Sequence, residues 1–383
     1  MRSKKIMLVV GEASGDLHGA HLVASLHRHV RNLEVFGVGG ERLKNEKFRV
    51  IFDAARLAAM GLSELKGKIA NLWEAYRLLR KTLKEERPDL LVLVDFPEFN
   101  LRLARAAKRL QIPVLYYISP QIWAWRRGRV RKIARCVDRM AVAFPFEVPI
   151  YEQAGVQVTF VGHPLLDAVR PTEDRETTLE RYGLDPNRKT IAILPGSRKL
   201  EVFYHVVTML DAVRRLREET DAQFILVRAS TVSREEIMEQ VAKAAPAVTI
   251  ADGDTYNILN ACDLAWVASG TATLEAALLK KPMIIVYRVA WLTYALARLL
   301  VRVKHIGMVN IMAGEYVVPE LIQSEFTAKR VVDESKRFLL DSPLRVRTGE
   351  KLGEVREKLG SPGAADRVAA IAVSMLGVEL GIM

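Results

Sequence analysis

The sequence predicts an α/β protein made of two doubly wound domains, each a parallel sheet covered by helices on both faces. Three observations carry that expectation. The chain has 383 residues, half of them hydrophobic, which exceeds the roughly 250–300 residues at which one core stops growing. Short apolar runs alternate with amphipathic stretches along its whole length. The runs are apolar at consecutive positions, as strands buried on both faces require, whereas half-exposed strands alternate.

In the first half the strand candidates are residues 6–10, 33–37, 90–94, 114–118, 139–143 and 158–161, with helical patterns between them. The second series is 190–194, 223–227, 248–251, 264–267 and 283–286. The turn residues Gly162-His163-Pro164 mark the boundary, giving domains of residues 1–165 and 166–361. An apolar helical pattern in residues 362–383 either returns to the first domain or exchanges with a second subunit, which leaves a homodimer open. Open parallel sheets bind ligands at the carboxyl ends of their strands, so the substrate site is expected in a cleft between the halves.

Composition narrows the function. Cys136 and Cys262 are the only two cysteines, too few for a disulfide framework or a thiolate metal site. His18 and His21 share a helix face without a third ligand, so no metal is expected, and no cofactor. Residues 1–5 lead straight into a strand without a signal-peptide pattern. The net charge of +12 predicts an anionic partner: nucleic acid, an acidic membrane face or a phosphorylated substrate. The densest cationic run is Arg126-Arg127-Gly128-Arg129-Val130-Arg131-Lys132, preceded by Trp123 and Trp125. No nucleic-acid module is recognisable, and the distinctive residues gather at strand ends instead of on one basic face, so a nucleic-acid-binding protein is disfavoured.

Those strand ends hold the chemistry. Residues 268–275, Ala-Ser-Gly-Thr-Ala-Thr-Leu-Glu, open a helix after a strand, so unpaired N–H groups converge on one point and seat an anion. Gly270 permits close approach, Ser269 and Thr271 offer hydroxyls, and Glu275, one turn on, accepts from ribose hydroxyls; together they suit a nucleoside diphosphate. Gly196, Ser197 and Arg198 after the first strand of the second domain present amides and a guanidinium to a departing diphosphate, with Glu201 close by. In the first domain, Gly11-Glu12-Ala13-Ser14-Gly15-Asp16 forms a glycine-rich turn for phosphate or sugar, with Glu12, Ser14, Gly15 and Asp16 as cleft residues. It departs from Gly-x-Gly-x-x-Gly, which disfavours a nicotinamide dehydrogenase. Asp95, in Asp95-Phe96-Pro97-Glu98-Phe99-Asn100, stands at a strand tip where aromatics desolvate it, which suits a general base. Asn100 faces the same cleft. Glu12 and Asp16 are alternative bases, Asn310, Glu315 and Gln323 are further donor-side contacts, and His163 is a hinge residue.

These segments, with Met60-Gly61-Leu62-Ser63-Glu64, Ser119-Pro120-Gln121-Ile122-Trp123-Ala124-Trp125, Gly162-His163-Pro164 and Pro319-Glu320-Leu321, resemble the lipid-A-disaccharide synthase family over nearly the whole chain. The resemblance implies a GT-B type glycosyltransferase with two Rossmann-like domains, an N-terminal one for acceptor and a C-terminal one for donor. It implies transfer of diacylglucosamine from UDP-diacylglucosamine to the 6-hydroxyl of diacylglucosamine 1-phosphate, releasing UDP. A peptidoglycan N-acetylglucosaminyl transferase or a UDP-sugar epimerase on the same scaffold would share the diphosphate seat without needing the Gly11–Asp16 turn or an acyl-binding surface.

Acylated substrates call for contact with a membrane. Leu65, Ile69, Leu72, Trp73 and Tyr76 recur at helical spacing and continue to Leu79 and Leu83, with Lys66, Lys68, Arg77, Arg80, Lys81 and Lys84 alongside, an interfacial pattern. Residues 291–303 form a second stripe around Trp291 and Tyr294. Neither reaches the roughly 20 apolar residues of a spanning helix. A cytoplasmic protein attached peripherally to the inner face of a bacterial inner membrane is the expectation.

Overall fold

The computed structural model describes residues 3–11, 13–58, 65–125, 127–244, 248–300 and 304–378. The chain divides into two units, residues 1–167 with 359–383, and residues 168–358.

The first unit is built on a seven-stranded sheet: β1 (Lys4–Val9), β2 (Leu33–Gly39), β3 (Phe48–Asp53), β4 (Leu90–Val94), β5 (Val114–Tyr117), β6 (Arg139–Val142) and β7 (Gln157–Phe160), in spatial order β3-β2-β1-β4-β5-β6-β7. Every pairing is parallel. Burial explains the apolar runs. All five residues of β4 are buried, as are all four of β5, because helices cover both faces. The second unit repeats the pattern with β8 (Thr190–Leu194), β9 (Gln223–Arg228), β10 (Val248–Asp252), β11 (Leu264–Ala268), β12 (Met283–Tyr287) and β13 (Glu320–Ile322), ordered β10-β9-β8-β11-β12-β13 and parallel throughout. Its core includes Trp266, whose fully buried indole N–H donates to Ser335 Oγ at 2.9 Å, satisfying the one polar atom of the ring.

Two strands, β3 and β13, go beyond the eleven expected. Both lie at sheet edges; β3 is only partly buried, so its apolar run is broken, while β13 is three residues long and opens on a buried glutamate. In both sheets the order reverses after the first strand, so β1 and β4, and equally β8 and β11, flank a topological switch point, the place where doubly wound sheets open a ligand crevice.

The last described helix, Ala364–Met375, belongs to the first unit. Val368, Ala369, Ala372 and Val373 are fully buried there, Ser25 Oγ donates to Asp366 Oδ1 at 2.5 Å, and Lys4 Nζ donates to the Leu376 carbonyl at 2.9 Å. The outgoing and returning chain lie side by side, His163 N–H donating to the Leu359 carbonyl at 2.9 Å.

The helix Leu65–Glu86 separates what one apolar stripe had suggested. Ala75, Leu79 and Leu83 are fully buried, and Leu72 and Tyr76 pack half-buried against the same core. Ile69 and Trp73 are 52% and 57% exposed. Of the residues expected to meet lipid, Leu72 and Tyr76 therefore serve mainly the core, Ile69 and Trp73 remain on the surface, and the Leu65 side chain lies outside the described residues. In the second stripe Trp291 is exposed and Tyr294 half-buried, while residues 301–303 lie outside the described residues. Among the described residues no helix is long and apolar enough to cross a membrane.

Candidate active site

The four glycine- and acid-bearing loops follow β1, β4, β8 and β11, the strands that flank the two switch points.

In the first unit the β4 tip is strained and pinned. Asp95 and Phe96 both adopt left-handed backbone angles, φ 47° and 49°, each costing about 1–3 kcal/mol for a residue with a side chain. The surroundings hold this conformation. Asn100, fully buried in the helix Pro97–Arg109, donates Nδ2–H to the carbonyls of Asp95 at 2.7 Å and Val94 at 3.2 Å. The Tyr116 hydroxyl donates to the same Asp95 carbonyl at 2.5 Å. Burial first, and then the neighbouring Asp95 charge, push the Tyr116 phenol well above its usual range, so it stays a donor. The Asp95 side chain is left half-buried at the strand tip. Gly11 is required by the same arrangement, since a Cβ there would come 2.1 Å from Phe96 Cγ.

The glycine-rich turn after β1 departs from expectation at Asp16. Its carboxylate is 6% exposed and accepts from the backbone N–H groups of Gly40 at 2.6 Å and Arg42 at 3.0 Å. Asp16 therefore joins the helix Ala13–His29 to the loop after β2, and both oxygens are occupied in doing so. Ser14 is exposed and Gly15 buried on the first turn of that helix. Glu12 lies outside the described residues, as does the segment Met60–Glu64.

Other motif residues prove structural. Trp123 is buried, edge-on to Phe146 with ring centres 5.2 Å apart. Arg129, of the cationic run, pairs with Glu98; Arg126 lies outside the described residues. Ser119 donates to Glu147, a carboxyl 1% exposed that burial pushes up to about 7 against the hydrogen bonds from Ser119 and Phe144. Burial likewise drives His18 down to about 4 and His163 to about 3, so both are neutral rings; the nearby His21 adds to the effect at His18, and His18 to that at His163. His163 Nδ1 accepts from Leu165 N–H at 3.2 Å. Among the described residues no three His, Cys, Asp or Glu side chains gather as a metal would need.

In the second unit the turn after β8 runs through Gly196, whose φ of 125° suits only glycine. Glu201, on the first turn of the helix Lys199–Glu219, accepts through Oε2 from the N–H groups of Ser197 and Arg198 at 3.2 and 3.3 Å and through Oε1 from the Arg198 guanidinium at 2.9 Å. The turn after β11 runs through Gly270 at φ 155°, ψ −158°, and the helix Thr271–Leu278 starts at once. Ser269 is half-exposed, and Gly270 and Thr271 are exposed. Glu275 stands one turn in. Burial raises its pKa, and the Tyr256 hydroxyl, donating to Oε1 at 3.3 Å, opposes that rise.

Asn310 is a correction. It is fully buried: Nδ2 donates to the Val318 carbonyl at 2.9 Å and to Glu320 Oε1 at 2.8 Å, and Oδ1 accepts from Val317 and Val318 N–H at 2.9 and 3.1 Å. With every polar atom occupied it fastens the loop before β13 and has nothing to offer a donor sugar. Gln323 behaves alike, clamping both backbone groups of Val289, and the exposed Glu315 pairs with Lys351 at 3.1 Å. Three contributors escaped the sequence reading: Tyr116, Tyr256 and the buried His205. His205 left one trace, a histidine on the face of a helix whose neighbours Val202, Val206 and Met209 are core residues.

Two parallel sheets of this strand order, each with glycine-bearing turns at its switch point, have the architecture of a GT-B type glycosyltransferase of two Rossmann-like domains. Solved structures agree on the fold: the Staphylococcus aureus MnaA–UDP co-structure aligns with TM-score 0.69, 16% identity and 98% of both chains covered, and MurG of Acinetobacter baumannii with TM-score 0.58, 14% identity and 97% and 99% covered. The family model for lipid-A-disaccharide synthetase matches residues 6–366. Lipid-A-disaccharide synthase of Geobacter sulfurreducens is 46% identical over 379 residues, 99% of each chain, and that of Syntrophus aciditrophicus 47% identical over 378, covering 98% of this chain and 99% of the relative. The chain belongs to the lipid-A-disaccharide synthase family, and its activity is that of a UDP-diacylglucosamine transferase in lipid A biosynthesis.

Proposed function

We propose that the first unit holds the acceptor, diacylglucosamine 1-phosphate, and the second the donor, UDP-diacylglucosamine, and that Asp95 is the general base. The observation that carries this is the β4 tip: two strained residues, anchored by Asn100 and Tyr116, present one carboxylate at a switch point, a cost that a mere helix cap would not require. Asp95 takes the proton of the 6-hydroxyl as its oxygen attacks the anomeric carbon from the side opposite the diphosphate, so configuration inverts in one step. Charge developing on the leaving diphosphate meets the hydroxyls of Ser269 and Thr271, the amides of Gly270 and Thr271, the Gly196 amide, the Ser197 hydroxyl and the Arg198 guanidinium. Glu275, steadied by Tyr256, receives the ribose hydroxyls. Products are the β-linked disaccharide phosphate and UDP.

Peripheral attachment to the cytoplasmic face of the inner membrane accompanies this reading. Its support is the exposed pair Ile69 and Trp73, with Arg77, Arg80, Lys81 and Lys84 exposed on the same helix, an arrangement suited to an acidic lipid surface.

The decisive experiment replaces Asp95 with Asn. Turnover should fall about 100-fold or more, the scale of a lost general base, with UDP affinity unchanged. Turnover within a few-fold of wild type would remove Asp95 from the mechanism.

A further inference from the structure

His205 is a fully buried side chain whose two ring nitrogens are both engaged, at 2.8 Å with the Pro195 carbonyl and at 2.9 Å with the Arg288 backbone N–H. The partners fix its state. Arg288 N–H can only donate, so Nε2 carries no proton; the Pro195 carbonyl can only accept, so Nδ1 carries one. The ring is thus a neutral imidazole donating at one end and accepting at the other.

Its place in the sheet gives this consequence. Pro195 follows β8 and Arg288 follows β12, and β11 lies between those two strands. The ring therefore ties together the strands on either side of the one whose tip bears Ser269, Gly270 and Thr271. Ser269 itself hangs on β12, its N–H donating to the Val286 carbonyl at 2.9 Å. Arg288 is held in turn: its guanidinium donates to Thr208 Oγ1 at 2.9 Å, one turn along from His205, and to the Gln323 and Phe326 carbonyls. One imidazole thereby links the residue before the Gly196–Arg198 turn to the end of the strand on which Ser269 hangs.

We propose that neutral His205 is a positioning residue for the donor's diphosphate, holding these two turns at the separation from which both grip it. This rests on the reading that the donor nucleotide sits at Ser269–Glu275. Protonation would dissolve the tie, because Nε2–H would then face Arg288 N–H. The groups around the ring are Glu201 on its own helix, Tyr287 and Arg288 from β12 and its tip, and the Phe326 ring from the turn after β13. Burial is the largest influence and, with the Arg288 charge, lowers the imidazole pKa; the hydrogen bonds and Glu201 oppose it without reversing the direction. The tie is accordingly intact at neutral pH and fails only on the acid side of 6.5.

The test compares wild type with His205→Gln, whose amide can donate to Pro195 and accept from Arg288 without titrating, and His205→Leu, which can do neither. UDP binding is measured by calorimetry from pH 5 to 7.5, with donor KM, acceptor KM and kcat. At pH 7.5 His205→Leu should bind UDP about tenfold more weakly, on the scale of one buried hydrogen bond. Its donor KM should rise in step while acceptor KM holds. His205→Gln should stay within about threefold of wild type and lose less affinity than wild type on acidification. A folded His205→Leu that binds UDP within twofold of wild type overturns the proposal. Should that variant not fold, identical pH profiles for wild type and His205→Gln overturn it. Gly270→Val separates the two levels: wild-type UDP binding by Gly270→Val removes the nucleotide seat itself, whereas weakened binding there beside an unaffected His205→Leu removes only the role of His205.

Discussion

Glu147 offers a stability measurement with a fixed sign. The carboxyl is 1% exposed, accepting from Ser119 Oγ and, at 3.3 Å, from Phe144 N–H. Burial raises its pKa from 4.5 to about 7. A folded-state pKa above the unfolded one means that the folded chain binds the extra proton, so stability is fullest below pH 4.5 and declines as pH rises to about 7. At about 1.4 kcal/mol per unit the total decline is about 3 kcal/mol. Glu147→Gln keeps one acceptor for Phe144 N–H and can donate its amide to Ser119, whose hydroxyl rotates to accept. It removes the ionisation. His18 and His163, held neutral, titrate with the opposite slope below 6.5, so the quantity to follow is the difference between variant and wild type, in which they cancel. Urea unfolding from pH 5 to 8.5, read in the first unit's transition, should show the variant gaining on wild type by roughly 2–3 kcal/mol across that range. A difference independent of pH would mean that Glu147 is ionised throughout, and would refute the reasoning from burial.

Asn310→Ala leaves two backbone N–H groups, a carbonyl and a Glu320 oxygen without their partner, and should cost about 3 kcal/mol or more of second-unit stability in the same unfolding assay; UDP affinity at a temperature where the variant is folded should stay within a few-fold, and a large selective loss of UDP binding would restore Asn310 to the donor site. Replacing Ile69 and Trp73 together by Ser should reduce flotation with anionic vesicles while leaving the melting temperature unchanged, since neither is a core residue; undiminished flotation would place the lipid contact elsewhere.

The sequence disclosed the loops better than their occupants. Gly11, Gly196 and Gly270 announced close approaches or backbone angles that only glycine tolerates, and each stands at a switch-point strand. Residue type alone did not disclose how each polar group is spent. Asp16 and Asn310 have the chemistry of ligand contacts, yet their partners are backbone groups 24 to 26 residues away for Asp16 and, for Asn310, backbone groups and the Glu320 carboxylate 7 to 10 residues away, a matter of tertiary packing that no local spacing encodes. The same holds for Tyr256 and Glu275, on separate helices 19 residues apart, and for His205 with Arg288, 83 apart. Periodicity found the stripe along Leu65–Glu86 but could not say where it leaves the core, because burial ends where neighbouring elements end. The edge strand β3 was hidden for a related reason, being partly exposed, and β13 because three residues that open on Glu320 make no apolar run.

The return of Ala364–Met375 to the first unit imposes an order on biosynthesis. During translation the second unit, an uninterrupted stretch, can finish folding on the ribosome, while the first waits for a helix made after it, which covers the apolar side of Ala13–His29. A nascent chain arrested before that helix would carry a complete second unit and an unfinished first one, with apolar surface open to chaperones.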